Sequence, residues 1–189
     1  MIRPASTDDG VAQHSLAQLD ALPLSMLDEP LDFIFADHFR QRSLCVVLRS
    51  FARSRSVPRE SADRVLAFLA HDLSLHHQDE DADLFPVLRK RAEPEDDLSS
   101  ILARLSEDHR QASPLVADIV AALSVKAKRG KITLSSAAAE TMFAYVAGEQ
   151  RHLSVENGIV LVIARKRLAP VDLRKLSRSM KTRRGVEAL

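Results

Sequence analysis

Six side chains of this sequence are placed to do chemistry: His38, His76, Glu80, His109, His152 and Glu156. Two of the histidines open the same short pattern, H-x-x-x-E, at His76–Glu80 and His152–Glu156. A helix turns about 100° per residue, so residues four apart differ by about 40° and share a face. Each pair falls in an apolar stripe, with Leu69, Leu73 and Leu84 around the first and Met142, Tyr145 and Ile163 around the second. His38 lies in a stripe with Ile34, Cys45 and Leu48, and His109 in one with Leu102, Leu105, Ala112 and Val116. The predicted inventory is four imidazoles and two carboxylates converging on a core. By the same rule His77 is rotated away from His76, and Asp79, Asp81 and Asp83 fall on other faces and meet water.

A buried carboxylate without a partner is costly or takes up a proton. Two arrangements relieve that cost here. The imidazoles and carboxylates can satisfy one another in a hydrogen-bonded network, or they can ligate a pair of cations. A lone mid-helix histidine is more often a core residue than a ligand, and one i, i+4 polar pair is common on helices. Two such pairs with two further histidines, all in apolar stripes, favour metal. A mixed set of imidazole and carboxylate suits iron, manganese or zinc, whereas calcium and magnesium favour all-oxygen sites. Each glutamate can bridge a metal pair, with two imidazoles capping each metal. Tyr145 and Glu149 share the ligand face and read as core packing or as hydrogen-bonding neighbours of the ligands, with His77 a surface residue or another such neighbour. His14 and His71 have no such company and read as structural or solvent-facing.

The elements that must position these residues are long amphipathic segments. They run roughly over 24–54, 58–91, 95–128 and 135–168, separated by RSRSVPRE, RAEPEDD and KRGKIT. Each carries an apolar stripe at helical spacing. Glycine and aromatic residues are scarce, which agrees with an all-α fold. Segments of this length joined by short loops predict an antiparallel up-down-up-down four-helix bundle with a short C-terminal helical extension. The expected division is an N-terminal arm over 1–22, the bundle over 23–169, and a basic C-terminal helix or tail over 170–189.

The formal net charge of +1 names no partner. The single cysteine, Cys45, rules out an intrachain disulfide and a CxxC motif, and a reducing cytoplasm is the expected compartment. The first residues lack the apolar run of a signal peptide, and the strongly apolar run Gly158 to Ala164 is far too short to span a bilayer. From Arg165 to Arg184 the chain is basic, with Asp172 its one acid. Such a stretch can contact nucleic acid, but it holds no aromatic residue for base stacking. A solvated helix face is the preferred reading.

These motifs resemble those of the hemerythrin-like family of HHE cation-binding domains. The resemblance rests on His38, on His76 and Glu80 followed by Leu84-Phe85-Pro86, on His109, and on His152-x-x-x-Glu156-Asn157, and it covers roughly residues 30–168. It implies a four-helix bundle holding two iron ions joined by an oxo or hydroxo bridge, with open positions for dioxygen, nitric oxide or peroxide. The oxygen carriers of the family have a fifth histidine where this chain has Ser113, and an aspartate where it has Glu156. The four-histidine, two-glutamate set is closer to the di-iron domain of bacterial iron-sulfur-cluster repair proteins.

No serine, histidine and aspartate triad, no cysteine nucleophile with a base and no phosphate loop is visible, so any chemistry belongs to the metals. The first expectation is a di-iron protein that binds a small ligand in oxidative or nitrosative stress, and that as an enzyme would be an oxidoreductase. The alternative is an oxygen or iron sensor acting through a protein partner. An iron donor for cluster repair and a structural zinc bundle come after these, since structural zinc sites are usually cysteine-rich.

Overall fold

The computed structural model describes residues 7–186, so the first six residues of the expected arm and the last three of the tail lie outside the described residues. Thr7–Ala17 forms α1, which packs against α2, Pro30–Ser54. A 3₁₀ turn at Leu24–Asp28 precedes α2, and Pro30 sits in its first turn, where a missing N–H costs nothing. Arg55 ends α2 in the left-handed region at φ 53°, its N–H returning to the Phe51 carbonyl. Ser56–Pro58 (β1) then pairs antiparallel with Lys131–Thr133 (β2), Val57 opposite Ile132. This small sheet joins the loop after α2 to the loop that carries Gly130.

The next segment is one continuous right-handed rod with two interruptions of pitch. Arg59–Ala67 (α3), Leu73–Gln78 (α4) and Phe85–Arg91 (α5) are linked by π-helical turns at Phe68–Asp72 and Asp79–Leu84. Leu98–Leu123 forms α6, with Pro114 inside it. Ser136–Val155 forms α7, capped by the Ser135 hydroxyl, which accepts from the Ala138 N–H at 3.1 Å. A third π turn, Glu156–Val160, leads into Leu161–Arg167 (α8). Finally Pro170–Arg183 forms α9, whose first turn is closed by Asp172 accepting from the Ala169 N–H. The chain is thus mostly helical. No described helix is long and apolar enough to cross a membrane.

The buried apolar side chains form two clusters. One contains Leu44, Leu48, Leu73, Ile119 and Val146. The other contains Ile34, Leu84, Leu105 and Val160. Successive long stretches visit them in alternating order: α2 goes from Ile34 to Leu44, α3–α5 from Leu73 to Leu84, α6 from Leu105 to Ile119, and α7–α8 from Val146 to Val160. His38, His76, Glu80, His109, His152 and Glu156 fall in the intervals. They form a polar layer with an apolar cluster on each side, and all six are buried.

Two expectations are corrected. The aspartates after His76 do not all meet water. Asp79 is 1% exposed, because α9 lies across this turn and brings Arg183 and Arg184 onto its carboxylate. Asp83 pairs with Arg183, and Asp81, although half exposed, is tied to His109. The basic C-terminal stretch is correspondingly not a freely solvated face. Besides the two arginines on Asp79, Lys181 pairs with Asp28, Arg167 with Asp96 and Arg165 with Asp32. Wheel geometry applied to single helices cannot register a further helix that covers a face. Arg174, Lys175 and Arg178 do remain exposed.

Candidate metal centre

The six residues come together at the middle of the molecule. Nε2 of His76 lies 3.2 Å from Oε1 of Glu80, and Nε2 of His152 lies 3.2 Å from Oε2 of Glu156. His38 joins the two pairs: its Nε2 is 3.4 Å from Glu80 Oε1 and 3.3 Å from Glu156 Oε2. His109 Nε2 is 3.4 Å from Glu80 Oε2 and 3.1 Å from His152 Nε2. The donor atoms form two overlapping groups, each spanning no more than 4.8 Å. One is His38, His76, Glu80 and Glu156; the other is Glu80, His109, His152 and Glu156. Both glutamates belong to both groups.

Local helix geometry sets the carboxylates. Glu80 lies in the π turn Asp79–Leu84, and Glu156 opens the π turn Glu156–Val160. A π turn admits one extra residue into the helix, re-aiming the side chains at that level, and such turns recur at functional sites. Both H-x-x-x-E motifs therefore end on the same backbone irregularity, which the ideal 100° wheel does not anticipate.

The other face of three of the four imidazoles is held by a polar neighbour. Asp37 Oδ2 is 3.1 Å from His76 Nδ1, and Asp37 is itself fixed by Arg40 Nη1 at 2.6 Å. Arg40 in turn donates to the Leu19 carbonyl and to Asp72. Asp81 Oδ2 is 2.8 Å from His109 Nδ1, and the Ser106 hydroxyl donates to the same carboxylate. Asn157 Oδ1 is 2.9 Å from His38 Nδ1. Asp108 stands 3.7 Å from His152 Nδ1. With Nδ1 of His76, His109 and His38 engaged in this way, their Nε2 lone pairs are left for the centre, the arrangement by which neighbours fix a ligand's tautomer and orientation. His152 Nδ1, by contrast, has no hydrogen-bond partner. Single-helix stripes do not reveal these neighbours. Asp37, Asp81 and Asp108 sit beside a stripe residue or one turn from it, and only the packed helices show what they touch.

His77, Tyr145 and Glu149 lie around the six. The His77 ring stacks on His109 at 4.0 Å between centroids. Tyr145 and Glu149 are buried on α7, and the tyrosine hydroxyl and Glu149 Oε1 have no protein partner. His14 and His71 are exposed and apart from the cluster, as the sequence reading expects.

Charge in the cluster is strongly perturbed. Burial opposes protonation of His76, but Glu80 and Asp37 outweigh it and hold His76 well above the usual imidazole range. Burial likewise opposes ionisation of Glu80, and His76, His109 and His38 nevertheless hold it well below the usual carboxylate range. Against burial, Asp81 and Glu80 push His109 up to about 10. Burial drives His77 well below the ordinary value, with His109 and His76 adding to the effect. Glu149 is raised chiefly by burial. The protein alone thus stores protons on imidazoles to offset its buried carboxylates.

A cation fits this donor set. His38 Nε2, His76 Nε2, Glu80 Oε2 and both Glu156 oxygens are buried without a hydrogen-bond partner. The His38 and His76 Nε2 atoms stand 3.2–3.4 Å from oxygens of Glu80 and Glu156 without forming hydrogen bonds, so the donor atoms converge on a shared space. Unpaired buried carboxylate oxygens are expensive, and a divalent or trivalent cation removes that cost while using the imidazole lone pairs.

Helical packing around a buried histidine–carboxylate layer gives a helical protein whose core is compatible with cation binding. The sequence matches the hemerythrin HHE cation binding domain over residues 29–164, and the chain belongs to that family. The matched span contains every residue of the cluster. No curated protein matches the chain.

Proposed function

We propose that residues 23–169 form an antiparallel up-down-up-down four-helix bundle that holds two iron ions. His38, His76, Glu80, His109, His152 and Glu156 are the proposed ligands. The single observation that carries the reading is the sharing of Glu80 and Glu156 by both donor groups, which suits a pair of cations with carboxylates between them. The alternating order in which the helices visit the two apolar clusters supports the bundle topology. The proposed role is binding of a small ligand, dioxygen, nitric oxide or peroxide, in defence against oxidative or nitrosative stress, in the cytoplasm.

When bound, the irons would supply open coordination positions and electrons for such a ligand. The chain's own residues do the rest. Asp37, Asp81 and Asn157 hold three imidazoles in the tautomer that turns Nε2 inward. The flanking apolar clusters exclude water from both ends of the layer. His77, which burial keeps neutral, packs over His109 and fixes its ring plane.

Anaerobic reconstitution with ferrous iron, metal analysis and optical spectra during exposure to dioxygen, peroxide and nitric oxide test the proposal. About two irons per chain and a ligand-dependent spectrum are expected for a di-iron site. Protein that retains no iron after reconstitution refutes it.

One contact favours a second reading, a sensor that signals through a protein partner. Asp79, the neighbour of Glu80 in sequence, is held by Arg183 and Arg184 at the end of the chain's last helix. A change at the centre therefore has a direct route to the C-terminal segment. Ligand-dependent complex formation without turnover supports the sensor, and steady consumption of peroxide or nitric oxide supports the enzyme.

A further inference from the structure

A cavity of about 470 Å³ opens between α6 and α7 and reaches His109 and His152. A diatomic molecule or a peroxide occupies little more room than a water, roughly 30 Å³. The cavity is therefore far larger than the ligands of the proposed function require, and it falls in the range of small-molecule pockets, about 300–1,000 Å³. Its surface is mostly apolar, with Leu105, Leu115 and Ile159 contributing, and the charged Arg104, Asp108 and Arg151 also line it.

Two observations point to an occupant. First, Gly148 lines the cavity from within the long helix α7, where glycine is among the poorest helix formers. A Cβ at this position would meet nothing closer than Arg151 Nη2 at 4.0 Å. Packing does not require the glycine, and its effect is to keep the cavity wide. Second, two side chains lining the cavity, Tyr145 at 1% and Glu149 at 5% exposure, stand close to each other without reaching hydrogen-bond geometry, and the tyrosine hydroxyl and Glu149 Oε1 have no other hydrogen-bond partner. Buried polar atoms are normally hydrogen-bonded, and leaving two beside each other's turn is costly. Neither residue belongs to the two donor groups.

We infer that this cavity is a binding site for a small, uncharged organic molecule with an apolar body and one hydroxyl group, which completes the hydrogen bonding of Tyr145 and Glu149. A hydroxyl both donates and accepts, so it can serve both groups. A charged head would have to leave water for a mostly apolar surface beside the buried Glu149, since the lining arginines, Arg104 and Arg151, are solvent-exposed. The inference goes beyond the proposed di-iron function and does not rest on it, because the cavity and its unpaired groups belong to α6 and α7 whether or not a metal is held.

Calorimetric titration of the full chain, metal-free and after iron reconstitution, with phenol, benzene and benzoate tests it. Saturable binding of phenol is expected in both forms, with benzene and benzoate weaker. Tyr145→Phe should weaken phenol about two- to tenfold, the span of one lost hydrogen bond, and leave benzene unchanged. Gly148→Leu, which fills the cavity, should abolish binding of both while circular dichroism stays native. Should Gly148→Leu not fold, Ala144→Phe, on an exposed position of the same wall, serves in its place. No saturable phenol binding in either form overturns the inference, as does phenol binding undiminished in a folded filling variant. Failure to retain iron refutes only the di-iron reading, since the phenol titration of the metal-free chain is read independently.

Discussion

Asp37 Oδ2 lies 3.1 Å from Nδ1 of His76 on another helix, while the residue beside Asp37, His38, turns its own Nε2 toward Glu80 and Glu156. Two adjacent positions of α2 thus serve the cluster in different ways, one orienting a ligand candidate and one offering a nitrogen. Asp37→Ala frees the His76 ring and removes the 2.6 Å contact that fixes Arg40. Loss of such a neighbour typically weakens metal binding about 10–100-fold. Competition for ferrous iron against a chelator of known affinity measures this, and unchanged affinity would show that Asp37 has no orienting role.

The two glutamates and the four histidines should differ in what they cost. Glu80 and Glu156 each belong to both donor groups, whereas His76 belongs to one and His152 to the other. Glu80→Ala is therefore expected to lose both cations, and His76→Ala to keep the one near His109 and His152. Metal content after identical reconstitution and desalting distinguishes them. Equal iron in the two variants would mean that the carboxylates are not shared.

The six cluster residues are legible in the sequence because each sits where an apolar stripe is interrupted by a group that stripes rarely tolerate. His76 and His152 are marked further by a glutamate one turn on. Asp37 and Asp81 are not legible in the same way. Their side chains leave the stripe sideways and meet histidines of neighbouring helices, His76 from α2 and His109 from the rod before α6. Asn157 stands beside Glu156 in the motif, but its role depends on His38, which is 119 residues away in sequence. The burial of Asp79 depends on α9, whose charges read alone suggest only a solvated face. The π turns at Glu80 and Glu156 have no signature in residue type and follow from the packed core.

The pH behaviour of the metal-free chain follows from His109. Its folded value is raised to about 10 from an ordinary 6.5. A group raised on folding contributes stability that is fully present below its unfolded value and is lost as pH rises through its folded value. The metal-free protein should therefore lose thermal stability between about pH 6.5 and 10. A loaded site holds imidazole without its proton, so the loaded protein should lack this decline, and loading at neutral pH should release protons. Melting curves of both forms across this window, with a pH indicator during loading, check the sign. A metal-free protein that gains stability toward pH 10 would contradict it.

Cys45 should be chemically silent. It is fully buried, and burial together with the nearby Glu149 carboxylate pushes its thiol well above the usual range. The thiolate is the reactive form. A thiol reagent at neutral pH is expected to leave the native chain unlabelled and to label it fully in denaturant. Prompt labelling of the native chain would show that the core around Cys45 opens readily.

The grip of α9 on Asp79 should be worth a measurable share of stability. Asp79 is 1% exposed, and burial raises its pKa while Arg184 and Arg183 oppose that rise. Removing both arginines leaves a buried carboxylate without its counter-charges, a change that costs about 3–5 kcal/mol where it has been measured. At about 2–4 °C per kcal/mol for a chain of this size, the double variant Arg183→Ala/Arg184→Ala should melt roughly 6–20 °C lower. Because the folded pKa of Asp79 is already raised, the deficit should shrink as pH falls and Asp79 takes up a proton. Adding Asp79→Asn to the double variant should recover most of the loss at neutral pH by removing the stranded charge. A deficit that neither acid nor Asp79→Asn reduces would assign it to lost packing of α9 instead, since packing is indifferent to the charge on Asp79.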